Sequence, residues 1–152
     1  MISRRSVLLL MQPWLVAIAA VRGNDAMYVG GTVGLPERTK GWLDTSADPK
    51  ALLFWSKKGT FQIPYDGVTS LEYGQKAGRR LGVALAITVF ALFSKKRKHF
   101  VTIGFKDAKD QPQGVVLELA KGKSKPLITL VEARSGVKCE YESEEARKYV
   151  HG

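Results

Sequence analysis

The sequence Ala51-Leu52-Leu53-Phe54-Trp55-Ser56-Lys57-Lys58-Gly59-Thr60-Phe61-Gln62-Ile63-Pro64 predicts two β-strands joined by a turn. Residues 51–55 form a continuous apolar run of strand length, with Pro49 before it and a polar turn sequence after it. In residues 60–63 polar and apolar side chains alternate, which is the two-residue period of a strand with one buried face. We therefore expect a β-hairpin that turns at residues 57–59.

Strand patterns continue on both sides of this hairpin. Upstream, residues 27–35 are apolar and rich in glycine, which predicts an edge strand or a strongly bent one, and residues 41–45 predict a second strand. Downstream, residues 68–73 place Leu71 and Tyr73 on the same face of a further strand. The first half of the chain is thus predicted to be a series of short antiparallel strands.

The second half of the chain repeats this pattern and then changes its period. Residues 101–119 alternate as two strands around a charged loop. Residues 126–135 have the apolar stripe of a short amphipathic helix, and Gly136 suits the left-handed position at its end. Residues 137–141 predict a last short strand, and Ser143 opens a final polar helical turn.

These elements predict a mainly β (α+β) fold in a single domain of residues 22–152. Short antiparallel strands would curl into a small, partly open barrel, and one C-terminal amphipathic helix would cover the open end.

One apolar run, residues 81–93, does not fit the strand series and lies between basic flanks at residues 79–80 and 95–98. About thirteen residues are too few to cross a hydrocarbon core of roughly 30 Å as a helix. Two interpretations stay open: the run is buried in the core or between subunits, or it inserts into a membrane or a partner. In the second case its basic flanks would meet anionic groups. The residues assigned to this contact are Arg79, Arg80, Leu81, Leu85, Phe90, Phe93, Lys95, Lys96, Arg97 and Lys98.

Residues 1–21 have the three parts of a secretory signal peptide. Arg4-Arg5 precede a short apolar run, and Ala17-Ile18-Ala19 offers a cleavage pattern of small residues. The alternative is an uncleaved N-terminal anchor, and residues 3–8 also resemble a twin-arginine signal. We therefore expect an exported protein, periplasmic or extracellular.

The charge of the chain predicts attraction to polyanions. The formal net charge of +10 would suit nucleic acid, anionic lipid or an acidic cell-wall polymer, and export makes nucleic acid the less attractive partner. Cys139 is the only cysteine, so the chain can form neither an internal disulfide nor a cysteine-based zinc site. We expect no metal and no cofactor.

Four segments of the chain resemble the pleckstrin-homology-like superfold, in particular its GRAM-type and bacterial members. They are Gly41-Trp42-Leu43-Asp44-Thr45, Leu52-Leu53-Phe54-Trp55, Phe61-Gln62-Ile63-Pro64-Tyr65 and Val68-Thr69-Ser70-Leu71-Glu72. The helix at residues 126–135 occupies the C-terminal position expected of that superfold. The insertion at residues 79–98 and the strand at residues 137–141 depart from it. The resemblance implies a scaffold that binds lipid headgroups or peptides, and it implies nothing catalytic.

The residues that could carry catalysis or stacking have simpler explanations. His99 begins a strand with no nucleophile partner in view, and His151 is expected to be disordered next to the terminus. Trp42, Trp55 and Tyr73 could form a stacking platform, but core packing is the better interpretation for aromatic residues on core-like strands.

The sequence therefore predicts an exported, non-enzymatic binding module of the cell envelope. It would contact anionic lipid, or another envelope polyanion or protein, through residues 79–98, and could attach peripherally to a membrane. The alternative is a structural or homo-oligomerising envelope protein with the 81–93 run buried at an interface. That alternative predicts assembly that disappears when Leu85 and Phe90 are made polar.

Overall fold

The computed structural model describes residues 24–74 and 99–152 and has a mainly β fold. Its helices are α1 (Ser124–Ser135) and α2 (Glu144–His151), and a short 3-10 helix (Tyr65–Gly67) joins two strands. The strands are β1 (Asn24–Gly31), β2 (Thr39–Asp44), β3 (Ala51–Ser56), β4 (Gly59–Pro64), β5 (Val68–Gly74), β6 (His99–Lys106), β7 (Pro112–Leu119) and β8 (Cys139–Tyr141).

These strands form one curled sheet, a half-barrel, in the order β4-β3-β2-β1-β7-β6-β5-β8. Neighbouring strands are antiparallel except for β8, which runs parallel to β5. The prediction of a mainly β fold of short strands is therefore confirmed.

The β3–β4 hairpin forms where the sequence predicts it. Phe54 pairs with Phe61 across the two strands, and the turn residues are Lys57 and Lys58. The Ser56 hydroxyl donates to the Gly59 carbonyl oxygen at 2.6 Å, which closes the turn.

Strand β1 is bent, as predicted, but it is not an edge strand. It lies between β2 and β7, and its register against β7 shifts between Tyr28 and Gly30. Gly31 has a φ of 154°, and a Cβ atom there would strike the carbonyl oxygen of Gly114. Glycine thus lets a central strand kink while its backbone stays close to a neighbour.

The core lies on the inner face of the curled sheet. The Phe54 and Phe61 rings stack at a centroid distance of 4.9 Å, with Tyr28 edge-on to Phe61 at 5.7 Å. Helix α1 adds Leu127, Ile128 and Val131 to this core. Burying each such side chain contributes about 1.5–3 kcal/mol, which is enough to hold the helix across the open side of the sheet.

Helix α1 ends as the sequence predicts, with Gly136 in the left-handed conformation at a φ of 75°. Arg134 in its last turn donates to the carbonyl oxygen of Thr45 at 3.1 Å and to the Tyr65 hydroxyl at 3.3 Å. The helix is thereby tied to the loop after β2 and to the 3-10 helix.

Two helices rather than one cover the core. The polar turn predicted at Ser143 is the start of the eight-residue helix α2, and the Ser143 hydroxyl accepts a hydrogen bond from the backbone N–H of Ala146 at 3.1 Å. Ala146 and Val150 of this helix are buried in the core. Two apolar side chains one turn apart were too weak a signal to predict a packed helix.

Candidate functional surfaces

One end of the sheet contains the start of β1, the end of β5, the start of β6 and the end of β7. We call it the insertion end (residues 24–26, Gly74, His99 and Leu119). Gly74 closes β5 opposite Phe100, and His99 opens β6 opposite Leu119. Leu119 also pairs with Ala26 near the start of β1. Because neighbouring strands lie about 4.8 Å apart, the start of β1 is about 10 Å from His99. Segments 1–23 and 75–98 therefore join the fold at the same end.

The predicted membrane-contact residues all lie outside the described residues. They fall between Arg79 and Lys98, and the predicted signal peptide, residues 1–21, also lies outside. What the structure supplies is the surface to which these segments are attached.

That surface carries positive charge that the sequence analysis did not assign to the site. Lys121, Lys123 and Lys125 are exposed in the loop between β7 and α1 and in the first turn of α1. Lys121 is close enough to His99 to help lower the pKa of the imidazole, after the larger effect of burial. In the sequence this charge is visible as a Lys-x-Lys-x-Lys run at residues 121–125.

Aromatic rings hold His99 at the insertion end. Its Nδ1 atom is 2.7 Å from the Tyr73 hydroxyl, and its ring stacks on Tyr149 of α2 at a centroid distance of 4.7 Å. Burial is the main cause that raises the pKa of Tyr73 to about 12. His99 is thus half-buried between β5 and α2, and it bridges the strand end to the C-terminal helix.

His151 is ordered, and the expectation that it is disordered is wrong. Its Nε2 atom is 2.7 Å from the Tyr141 hydroxyl, and it lies in the last turn of α2. No pattern in the sequence indicates this partner, because Tyr141 reaches His151 only once α2 folds back beside β8.

Two features of the described residues bear on catalysis. Burial is the main cause that raises the pKa of the Cys139 thiol to about 12, which leaves it protonated and a poor nucleophile near neutral pH. Within residues 24–74 and 99–152, no group of three or more histidine, cysteine or acidic residues could hold a metal ion.

Two tryptophans face solvent, contrary to the expectation that they pack in the core. Trp42 and Trp55 are directly paired across β2 and β3, and their exposed fractions are 44% and 40%. Alternation explains the error, because Leu43 and Phe54 point into the core and their neighbours must point out. Tyr73 is fully buried, as expected.

Basic residues border the tryptophan pair. Arg38, Lys40, Trp42, Lys57 and Lys58 line a shallow groove of about 540 Å³. We call Trp42, Trp55, Arg38, Lys40, Lys57 and Lys58 the tryptophan surface.

Comparisons with known proteins leave the family open. No protein-family model matches the chain, and no curated protein shows significant similarity to it. No helix of the described residues combines the length and the hydropathy needed to cross a membrane.

Proposed function

We propose that this protein is a non-enzymatic binding module of the cell envelope that attaches to an anionic membrane surface through its insertion end. The observation that carries the proposal is the shared attachment point. The chain segments that contain the two longest apolar runs, 7–21 and 81–93, join the described fold about two strands apart. Before the predicted signal peptide is cleaved, a single face can present both segments to one bilayer, and after cleavage the same face can still present residues 75–98.

The charge at this end is of the right sign for anionic lipid. Lys121 and Lys123 lie in the loop beside His99, and the basic residues 95–98 directly precede His99 in the chain. A basic residue near an anionic membrane surface contributes about 1 kcal/mol at physiological salt. A few apolar side chains inserted at about 1.5–3 kcal/mol each would add enough for reversible attachment.

The overall architecture supports a binding scaffold. A curled antiparallel sheet followed by a helix across its open side agrees with the resemblance to pleckstrin-homology-like domains, which we retain as part of the proposal. Export is also part of it. Cleavage after residue 21 would leave all of β1 intact, because β1 begins at Asn24.

Vesicle sedimentation tests the proposal. Residues 22–152 are mixed with phosphatidylcholine vesicles, with and without phosphatidylglycerol, at low and at physiological salt. We expect binding only to the anionic vesicles, weakened by salt and by alanine at residues 95–98.

A pair of triple variants separates this surface from net charge. Alanine at Lys121, Lys123 and Lys125 should weaken vesicle binding. Alanine at Lys40, Lys57 and Lys58 removes the same charge from the tryptophan surface and should have a much smaller effect. Equal losses in the two variants, or no binding to any vesicle, would overturn the proposal.

A further inference from the structure

The outer face of β1 to β4 combines stacking groups with hydrogen-bonding groups. Trp42 and Trp55 are paired residues on adjacent strands, and both side chains are exposed. The next residue across from Trp42 is the exposed Asp25, and the next residue across from Trp55 is the exposed Thr60. Gln62, also exposed, follows on the same face of β4. A row of four strands thus carries two flat apolar rings between polar side chains.

Positive charge is concentrated on one margin of this face. Arg38 and Lys40 come from the start of β2 and the loop before it, and Lys57 and Lys58 form the β3–β4 turn. Asp25 places a carboxylate at the other side of Trp42. The surface therefore offers cations near the β3–β4 turn and the start of β2, and a hydrogen-bond-accepting carboxylate on its β1 side.

We infer that the tryptophan surface binds an acidic polysaccharide, a chain of pyranose rings that carry carboxylate groups. The C–H faces of successive sugar rings stack on the two indoles, because these rings offer flat apolar surfaces of the kind that aromatic side chains contact. Sugar hydroxyls donate to Asp25 and exchange hydrogen bonds with Thr60 and Gln62. Sugar carboxylates pair with the lysines and the arginine at the basic margin.

The charge pattern favours this occupant over two other polyanions. A single-stranded nucleic acid carries a phosphate at every residue and binds best in a groove that is basic along its whole length. A phosphatidylglycerol surface would repel Asp25, which lies beside Trp42. Within one uronate ring the carboxylate on C5 and the hydroxyls on C2 and C3 lie on opposite edges, so a ring stacked on an indole can meet a cation on one edge and a hydrogen-bonding side chain on the other.

The inference does not depend on membrane attachment. All of its residues lie on β1 to β4 and their turns, whereas the membrane proposal uses the loop between β7 and α1 and the end of β6. Each proposal can fail while the other holds.

Titration calorimetry of the full chain tests the inference with three defined polymers. Polygalacturonate supplies acidic pyranose rings, dextran supplies neutral ones, and polyglutamate supplies carboxylates without sugar rings. We expect polygalacturonate to bind at least about tenfold more tightly than either of the others. Equal affinity for polyglutamate would mean that charge alone is recognised and would overturn the inference.

Variants assign the contacts. Trp42→Ala and Trp55→Ala should each weaken polygalacturonate binding about tenfold, because truncating a central tryptophan commonly removes a large share of an interface's affinity. Trp42→Phe and Trp55→Phe keep a smaller aromatic ring and should lose less affinity for polygalacturonate than the alanine variants. They replace the alanine variants in the test if those do not fold. Lys57→Ala with Lys58→Ala should lower both the affinity and its salt dependence.

A matched control and a competing ligand complete the test. Lys121→Ala with Lys123→Ala removes the same charge from the insertion end and should leave polygalacturonate binding unchanged. Unchanged affinity in all tryptophan variants, or tighter binding of single-stranded oligothymidylate than of polygalacturonate, would overturn the inference.

Discussion

The contact between Tyr73 and His99 shows how a few side chains secure the insertion end. Tyr73 is fully buried, and its hydroxyl meets the Nδ1 atom of His99 where the strand pair β5–β6 is interrupted. Tyr149 then covers the imidazole from α2. The last residues of β5, the first residue of β6 and the C-terminal helix thus depend on one another.

Tyr73→Phe should lower the free energy of unfolding by about 1 kcal/mol, because it removes the hydrogen bond between the Tyr73 hydroxyl and Nδ1 of His99. Urea denaturation followed by circular dichroism measures the change. Tyr149→Phe is the control, since it keeps the stacked ring and removes a hydroxyl from a side chain that is 41% exposed. A loss in Tyr149→Phe as large as that in Tyr73→Phe would contradict the assignment.

Stability should depend on the protonation of His99. Burial, assisted by Lys121, lowers the pKa of His99 in the folded state below its unfolded value of about 6.5. Below about pH 6.5 the folded state then binds fewer protons than the unfolded state. The contribution of the neutral His99 imidazole to the unfolding free energy is therefore fully present above about pH 6.5 and is lost as the pH falls below it. Among the described residues, the groups that face the ring are Tyr73, Tyr149 and Lys121.

We expect the unfolding free energy of the wild type to fall between pH 7 and pH 5.5, measured by urea titrations at each pH. In His99→Gln, whose amide can still accept a hydrogen bond from Tyr73, the slope over this range should be smaller. Identical slopes in the two proteins would exclude His99 as the source.

At the scale of single elements, the strands were more predictable from the sequence than the helices. The β3–β4 hairpin was predicted almost to the residue, because Leu52, Phe54, Phe61 and Ile63 all face the core and the turn between the strands is short. The same alternation should have placed Trp55 outside. The exposed position of Trp55 could not be read from residues 51–55, because a continuous apolar run does not show which face of the strand is buried.

Helix α2 was underpredicted because its stability comes from tertiary contacts. An isolated helix of eight residues is too short to be stable in water. Here the Ser143 cap, the buried Ala146 and Val150, and the stacked Tyr149 hold it against the sheet. Only the cap and the acidic first turn could be read from the sequence.

Ser143→Ala should destabilise α2 by about 1 kcal/mol, since it removes the side chain that accepts from the N–H of Ala146. Hydrogen exchange should increase first at the amides of residues 146–151 and at His99, which α2 covers. Thr129→Ala on the exposed face of α1 is the control and should change the unfolding free energy by less than about 0.5 kcal/mol. Faster exchange spread evenly over both helices would count against a local role for the cap.

The long-range strand pairings were not predictable from the sequence. Strand β1 pairs with β7, which lies about ninety residues later, and β8 pairs with β5 in the parallel sense. Hydrophobic periodicity states which face of a strand is buried but not which strand lies beside it. The insertion end is a product of such pairings, and so is the proximity of the two points at which segments 1–23 and 75–98 join the described fold.

Whether residues 81–93 form an appended contact surface or part of the core can be decided by removing them. Gly74 is paired directly with Phe100, so Gln75 and His99 would flank a two-residue turn if residues 76–98 were replaced by Asn-Gly, a sequence that favours tight hairpins. We expect the shortened protein to fold with an unfolding free energy within about 1 kcal/mol of the parent, to lose binding to anionic vesicles, and to keep its affinity for polygalacturonate. Urea denaturation, vesicle sedimentation and calorimetry measure the three properties, and the parent chain is the control for each. A loss of more than about 3 kcal/mol would instead identify the run as buried core, because removing several buried apolar side chains costs that much, whereas shortening an exposed loop does not.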